Sequence, residues 1–260
     1  MCSLCPVPDR RTVLRALGVA ALAPTLTACE VEDYIPNFIP ERQVLAMSAD
    51  TWAKIRAATP LSGDTGRTEI VRGIAGQVLR AQGRDPARWD VRLFASAQVN
   101  AFALPGGRIG VFEGMFRVAE NRDQLAAVIG HEIGHVDAHH PETRMNAEAL
   151  RTMGLRVIQV ALGLADVPFA REITAVLGAG TEFGLLLPFS RRQELQADRY
   201  GLFAMTRAGF NPEQAPKLWQ RMDAMVPARG PTFLATHPAP AARIEALAAM
   251  IPEARAAARS

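Results

Sequence analysis

Residues 131–135 of the chain read HEIGH, and the interpretation of the whole sequence starts from this stretch. The stretch lies within residues 125–136, where apolar side chains recur at helical spacing. Asn121 is a favourable N-cap for such a helix, and Gln124 follows three residues later as a capping-box partner. Pro141 is expected to mark its end. The sequence therefore predicts a well-capped helix that carries both histidines.

The chemistry of this helix follows from the spacing of its polar residues. Histidines at positions i and i+4 lie on one helix face, one turn apart, so His131 and His135 can both reach one zinc ion. Glu132 would face the remaining coordination position, where it can take a proton from water and pass it to a leaving amine. Chance histidines on a helix are the alternative, but four of the five histidines of the chain fall within ten residues. The pattern predicts one zinc ion per chain.

Two further histidines, His139 and His140, follow the motif. His139 lies two helical turns beyond His131, about 12 Å along the axis, which is too far to share one ion. Histidines at a helix C-terminus are favoured by the helix dipole and are usually solvated, and we expect this of both. The third histidine of the metzincin pattern is excluded, because Pro141 stands in its place.

A third zinc ligand must therefore come from elsewhere, and a carboxylate is the usual alternative. The candidate is Glu194, in the stretch SRRQELQADRYG at residues 190–201. Glu194 and Asp198 share one face of a predicted helix, so Glu194 could bind zinc while Asp198 orients a ligand histidine. Spacing alone leaves open that both carboxylates form surface ion pairs with arginines such as Arg191 and Arg192.

The three cysteines, Cys2, Cys5 and Cys29, all lie in the first 29 residues. This distribution excludes a disulfide scaffold, a thiolate zinc site and a cysteine nucleophile in the rest of the chain. Residues 1–28 combine paired arginines, a short apolar stretch and small residues before Cys29, which is typical of a twin-arginine-like export signal ending in a lipobox. An ordinary exported protein with a chance cysteine, or a buried amphipathic helix, is the alternative. Cys2 and Cys5 would be discarded with the signal.

The expected location follows from this signal. A lipidated Cys29 would hold the protein at a membrane of the bacterial envelope, facing the periplasm, and Glu30 rather than aspartate after it favours the outer membrane. The net charge is only +3 and no basic stripe is present, which argues against nucleic acid as a partner. No apolar run of about 18 residues follows the signal, so no internal membrane span is expected.

The remainder of the chain predicts an α+β fold that is mostly helical, with a small antiparallel sheet beside the HEIGH helix. Residues 29–48 resemble a tether with two prolines, and residues 49–260 are expected to form a single zinc metallopeptidase domain. Residues 154–188 are apolar and contain glycines, which favours a helical pair packed over the active site or toward a membrane surface. The remaining elements are predicted from periodicity and turn residues: two helices over 50–82 broken at 60–66, a strand over 89–94, a hairpin over 98–112 and helices after 114.

Three stretches, taken together, resemble the HtpX-like family of gluzincin metallopeptidases, which includes the CAAX prenyl proteases and periplasmic quality-control lipoprotein peptidases. They are NAFALPGG at residues 100–107, HEIGH, and the pattern E-x-x-A-D-x-x-G at residues 194–201, and the likeness extends from about residue 68 to 250. The resemblance implies that Glu194 is the third zinc ligand. It also implies that Asn100, Ala101 and Phe102 form an edge strand that pairs with the substrate main chain.

The fifth histidine, His237, precedes a predicted helix that carries Arg243 and Ile244. This segment is similar to the His-Pro…Arg-Ile segment of the same family. The resemblance implies that His237 stabilises the oxyanion near zinc, with Arg243 as a supporting charge. A loop histidine that caps the next helix is the alternative.

These features predict a zinc-dependent metalloendopeptidase in which Glu132 activates water. By resemblance, its substrates would be unfolded or misassembled envelope proteins. The rival hypothesis is an outer-membrane assembly or chaperone-like lipoprotein, working with the assembly machinery, whose protease site is latent or secondary. An intact Glu132 favours the enzyme, because a scaffold has no need of a base.

Overall fold

The computed structural model describes residues 37–164, 189–225, 233–238 and 241–259. The predicted export signal and Cys29 lie outside these residues. The described helices and strands confirm a mostly helical α+β fold with a small sheet. In chain order they are α1 (Glu41–Ala58), α2 (Thr65–Ala81), β1 (Asp90–Phe94), β2 (Ala101–Leu104), β3 (Arg108–Phe112), α3 (Arg122–Asp137), α4 (His140–Leu164), α5 (Arg191–Arg207), α6 (Gln214–Met225), α7 (Phe233–Thr236), α8 (Ala241–Ala249) and α9 (Ile251–Ala257).

Helix α1 begins at Glu41, so the prediction of a tether over residues 29–48 is wrong for its last eight residues. Val44, Ser48 and Trp52 are buried at four-residue intervals and form one face of this helix. The apolar pattern is broken by Ser48, whose hydroxyl donates a hydrogen bond to the carbonyl of Pro105 at 2.6 Å. Because Ser48 is polar, the buried face of α1 does not show as an apolar helical pattern in the sequence.

The sheet is mixed rather than antiparallel, in the order β1-β3-β2. β2 and β3 form the predicted hairpin, in which Gly106 and Gly107 take positive φ angles of 84° and 79°. β1 pairs with β3 in parallel instead of extending the hairpin beside β2. Local turn signals specify the hairpin but not which of its strands receives β1. This pairing leaves β2 at an edge of the sheet.

Helix α3 begins as predicted: the Asn121 side chain accepts a hydrogen bond from the backbone N–H of Gln124 at 2.9 Å. It ends earlier than predicted, at Asp137. His139 then adopts a φ of 56°, in the left-handed region, and the chain turns directly into α4. Pro141 therefore lies in the first turn of α4, where a missing N–H costs nothing, rather than at the end of α3.

The two helices that carry the candidate zinc ligands, α3 and α5, cross at very short range. A Cβ atom added at Gly134 of α3 would lie 2.6 Å from the carbonyl oxygen of Ala197 on α5. One added at Gly201 of α5 would lie 2.6 Å from the backbone nitrogen of His131. Only glycine allows these approaches, which place the first turns of α5 directly against residues 131–135.

Helix α4 covers the first part of the segment predicted as a helical pair, up to Leu164, and residues 165–188 lie outside the described part of the chain. Several large apolar side chains on α4 are exposed: Leu150, Met153, Val157 and Val160. Within the residues that the structure describes, no helix is both long and apolar enough to span a bilayer.

Candidate active site

Four buried side chains meet at the crossing of α3 and α5: His131, His135, Glu194 and His237. One candidate ligand atom from each lies within 4.8 Å of the others. The Nε2 atoms of His131 and His135 are 3.0 Å apart. The carboxylate of Glu194 lies 3.2 Å from Nε2 of His135 and 3.5 Å from Nε2 of His131. The structure thus brings the three predicted zinc ligands together in one buried cluster.

The residues present fit a zinc ion. Two neutral imidazoles and one carboxylate are a ligand set that catalytic zinc sites use, with a further position left for water or substrate. Beside them, the Oε1 atom of Glu132 is buried and has no hydrogen-bond partner among the described residues. A buried carboxylate oxygen without a partner costs free energy, so it indicates a group that is completed by a ligand or a water.

Glu194 and Asp198 both point into the protein, with exposed fractions of 1% and 2%. This burial excludes the alternative in which they form solvated surface ion pairs. Asp198 Oδ1 lies 2.9 Å from Nδ1 of His131, as predicted for a carboxylate that orients a ligand histidine. Arg243 lies between the two carboxylates: its Nε donates to Asp198 Oδ2 at 2.7 Å, and its Nη1 lies 2.5 Å from Glu194 Oε2.

The charges around the cluster set the ionisation of its members. Burial raises the pKa of Glu194, but the nearby charges of His237 and Arg243 outweigh this effect and hold the pKa well below 4.5. Burial lowers the pKa of His135 well below 6.5, which keeps it in the neutral form that binds metals. Burial raises the pKa of Glu132 above 4.5. The site therefore combines an ionised carboxylate with one that binds a proton more readily.

His237 lies inside the cluster rather than in a surface loop. Its Nδ1 is 3.0 Å from Glu194 Oε1, and its Nε2 is 3.6 Å from Glu132 Oε1. Phe233 stacks on its ring with a centroid distance of 4.3 Å, and Trp219 stacks on Phe233 at 5.5 Å. These stacked rings fix the orientation of the imidazole. The sequence could not place this residue, because the segment that carries it is far from α3 along the chain.

Sequence reasoning missed the buried position of His140. The expectation of solvation holds for His139, which is 72% exposed, but it is wrong for His140, which is 3% exposed. Nδ1 of His140 lies 2.8 Å from Nδ1 of His135. The left-handed backbone at His139 turns the chain, so that the first residue of α4 lies against the last turns of α3. Pro141 was the available signal, because proline favours the start of a helix.

The edge strand β2 lies beside Glu132. A backbone hydrogen bond from Ala103 lowers the pKa of this glutamate, partly opposing burial. At the start of the hairpin, the N–H of Phe112 donates to the carbonyl of Asn100 at 3.0 Å. In an antiparallel pair the hydrogen-bonding direction alternates, so the backbone groups of Ala101 and Ala103 point away from β3. The predicted substrate strand therefore has backbone groups that are directed toward the site.

A helix with two histidines one turn apart, a glutamate from a second helix and a strand edge beside the first helix are the arrangement typical of zinc metallopeptidases. The particular family follows from the sequence as a whole. The sequence profile described as "Peptidase family M48" matches residues 66–251, and the chain belongs to this zinc-dependent family.

Individual relatives lie in mitochondria and bacteria. The chain is 35% identical over 190 residues to the mitochondrial metalloendopeptidase OMA1 of Schizosaccharomyces pombe, covering 72% of this chain and 54% of the relative. It is 27% identical over 247 residues to the beta-barrel assembly-enhancing protease of Escherichia coli (strain K12), covering 90% of this chain and 50% of the relative. The chain thus spans about half the length of the curated relatives it matches.

Proposed function

We propose that this protein is a zinc-dependent metalloendopeptidase, with one zinc ion held by His131, His135 and Glu194. The observation that carries the proposal is the buried convergence of these three side chains beside an unpartnered oxygen of Glu132. When bound, zinc would act as a Lewis acid: it would polarise the scissile carbonyl and lower the pKa of water, so that water can lose a proton and attack near neutral pH.

Glu132 acts as the general base and then as the acid. Its carboxylate takes a proton from the attacking water as the new C–O bond forms. It then passes this proton to the amide nitrogen as the C–N bond breaks, which releases the amine product. In the metal-free protein, burial raises the pKa of Glu132, so this carboxylate holds a proton more readily than an exposed one.

His237 and Arg243 support the reaction as charged or hydrogen-bonding groups beside the cluster. His237 Nε2 lies near Glu132, where it can donate a hydrogen bond to the negative charge that develops on the carbonyl oxygen. Arg243 holds the carboxylates of Glu194 and Asp198 through short contacts. Asp198 in turn keeps His131 in the tautomer that directs an unprotonated Nε2 toward the metal.

The proposed substrate class is supported by β2. An extended peptide can add to the backbone groups of Ala101 and to the carbonyl of Ala103, as in β-strand addition, and folded proteins rarely offer such a segment. We therefore assign unfolded or misassembled envelope proteins as substrates, in line with the resemblance to the HtpX-like lipoprotein peptidases. The E. coli relative, whose name refers to β-barrel assembly, supports an envelope substrate.

The proposed location is the periplasmic face of the bacterial envelope, with the outer membrane favoured over the inner. The sequence features around Cys29 and Glu30 carry this part of the proposal. A lipid-anchored protein at this location could also assist outer-membrane assembly without cleavage. The name of the E. coli relative, which joins assembly to proteolysis, favours this second candidate function.

The decisive experiment compares the wild type with Glu132→Gln. Both proteins should retain about one zinc per chain, because Glu132 is not among the ligands. Cleavage of casein, an unfolded protein, should fall by about 10²- to 10⁴-fold in the variant, the contribution typical of a general base. Glu69→Gln, the same substitution at an exposed site on α2, is the matched control and should cleave as the wild type does.

Two outcomes would contradict the proposal. A wild type that binds no zinc removes its basis. A wild type that binds zinc, cleaves nothing and yet suppresses the aggregation of unfolded proteins supports the assembly function instead.

A further inference from the structure

Both histidines of α3 direct the same ring atom into the cluster. Nε2 of each lies near Glu194, and Nδ1 of each faces outward to a second partner. For His131 this partner is the carboxylate of Asp198. For His135 it is Nδ1 of His140, at 2.8 Å. The two rings are therefore held by partners of different chemistry, one ionised and the other an imidazole.

A second contact continues the chain of hydrogen bonds. Nε2 of His140 lies 3.2 Å from the side-chain Oε1 of Gln196, on α5. The same helix thus supplies Glu194 to the cluster, Asp198 to His131 and Gln196 to His140. Gln196 is exposed, so this chain of contacts begins in the buried cluster and ends at the protein surface.

Metal binding by His135 would determine which nitrogen atoms of His135 and His140 carry a proton. A histidine that binds zinc through Nε2 must carry its proton on Nδ1, because the metal uses the lone pair of Nε2. Nδ1 of His135 then donates to Nδ1 of His140, which must be unprotonated. His140 consequently carries its own proton on Nε2 and donates it to the Oε1 acceptor of Gln196. Each of these two contacts then has one donor facing one acceptor.

Packing holds the ring of His135 in the plane that these hydrogen bonds require. The ring of Phe189 lies against it with a centroid distance of 4.1 Å and an interplanar angle of 31°. His140 meets the edge of the same ring at a steep angle of 68°. Phe189 therefore covers the face of the His135 ring, while the hydrogen bond with His140 holds its edge in place.

We infer that His140, assisted by Gln196, is a positioning residue that fixes the tautomer and orientation of the metal ligand His135. This inference rests on the proposed function, since it assumes that His135 binds zinc. The arrangement supplies a neutral partner where His131 has an anionic one. A carboxylate in place of His140 would add a fourth buried acidic group to the site, beside Glu132, Glu194 and Asp198.

The test is the zinc affinity of substitutions at His140, measured by competition with a chromophoric chelator. His140→Leu fills a similar volume but removes the acceptor for Nδ1 of His135, and zinc should bind about 10- to 100-fold more weakly, as on loss of other ligand-orienting groups. His140→Asn places an amide oxygen close to the position of Nδ1 and should recover most of this loss. Gln196→Leu should weaken binding in the same direction, to a smaller extent.

The neighbouring His139→Asn provides the matched control. This side chain is exposed, and asparagine tolerates the left-handed backbone at that position, so zinc affinity should equal that of the wild type. The visible absorption of the cobalt-substituted proteins gives a second readout. His140→Leu should shift the ligand-field bands of the bound ion, whereas His139→Asn should leave them unchanged.

The outcomes separate the two proposals. If the wild type binds no zinc, the proposed function fails and this inference falls with it. If the wild type binds zinc and His140→Leu binds it equally tightly, only the positioning role is overturned. If His140→Asn is as weak as His140→Leu while both remain folded by circular dichroism, His140 acts through packing rather than as an acceptor, which also overturns the inference.

Discussion

Glu132 is a residue whose burial works against the stability of the fold. Its carboxyl group lies in the interior, burial raises its pKa above 4.5, and one of its oxygens has no hydrogen-bond partner among the described residues. Glu194 is equally buried but has the opposite balance, because neighbouring positive charges lower its pKa. Two adjacent carboxylates therefore differ in proton affinity because their partners differ.

Glu132→Gln should stabilise the metal-free protein at neutral pH, by about 1–2 kcal/mol, because it removes a buried charge that is not fully compensated. The sign follows from linkage: a carboxyl group whose pKa is higher in the folded state lowers stability above that pKa. The gain should shrink as the pH falls through the raised pKa toward the ordinary value of 4.5. Urea unfolding at pH 7.5 and pH 5 measures both effects.

Glu69→Gln serves again as the control, because this residue is exposed. Its unfolding free energy should match that of the wild type at both pH values. A Glu132→Gln protein that is less stable than the wild type at pH 7.5 would contradict the prediction.

At the scale of elements, the crossing of α3 and α5 determines the site. Gly201 ends the pattern that begins at Glu194, and its lack of a side chain allows α5 to approach the backbone of His131. This contact fixes the distance from Glu194 to both histidines. The final glycine of the pattern is therefore explained by packing, although it takes no part in the chemistry.

Gly201→Ala should destabilise the protein by about 1–3 kcal/mol, as overpacking of a tight contact usually does. The new Cβ would lie 2.6 Å from the backbone nitrogen of His131, so the helices must separate. Zinc affinity should fall as well, because the separation moves Glu194 away from His131 and His135. Urea unfolding and the chelator competition measure the two effects.

Gly154→Ala on α4 is the matched control. A Cβ atom there meets no atom within 4 Å, and alanine is the better helix former. This variant should be equal to the wild type or more stable by up to about 1 kcal/mol, with unchanged zinc affinity. Equal effects of both substitutions would show that the crossing is not the cause.

Local signals in the sequence predicted the elements that local interactions specify. The side-chain cap of Asn121 and the glycines at 106 and 107 identified the start of α3 and the turn of the hairpin. The start of α1 was missed, because its buried face contains Ser48. The parallel pairing of β1 was missed as well, since the choice of partner strand depends on contacts that are distant in sequence.

The residues of the candidate site were likewise predictable where they share a helix and unpredictable where they are distant in sequence. The spacing of the two histidines and of Glu194 and Asp198 predicted which side chains share a helix face. Only the resemblance to a family suggested His237, and nothing local indicated that it stacks on Phe233. The burial of His140 beside His135 was not predicted, because it depends on a single left-handed residue, His139, that separates α3 from α4.

At the scale of the whole molecule, every residue proposed to bind or act at the site follows the proposed anchor, Cys29, in the sequence. Cys29→Ser should therefore abolish fatty-acid labelling and release the protein from the membrane fraction. The released protein should still cleave casein. Cys2→Ser is the matched control, because that cysteine would be removed with the signal. Unchanged labelling and fractionation of Cys29→Ser would contradict the anchor.

The position of β2 has a further consequence for how copies of this protein behave together. An open strand edge receives any extended chain, including the edge of a second copy, and is for that reason a site of aggregation in many proteins. Here the strand is only four residues long, and Pro105, which has no N–H to donate, follows it at once. A short strand edge followed by proline can hydrogen-bond to one peptide segment, but it has few backbone groups for the extended pairing between copies that leads to insoluble assemblies.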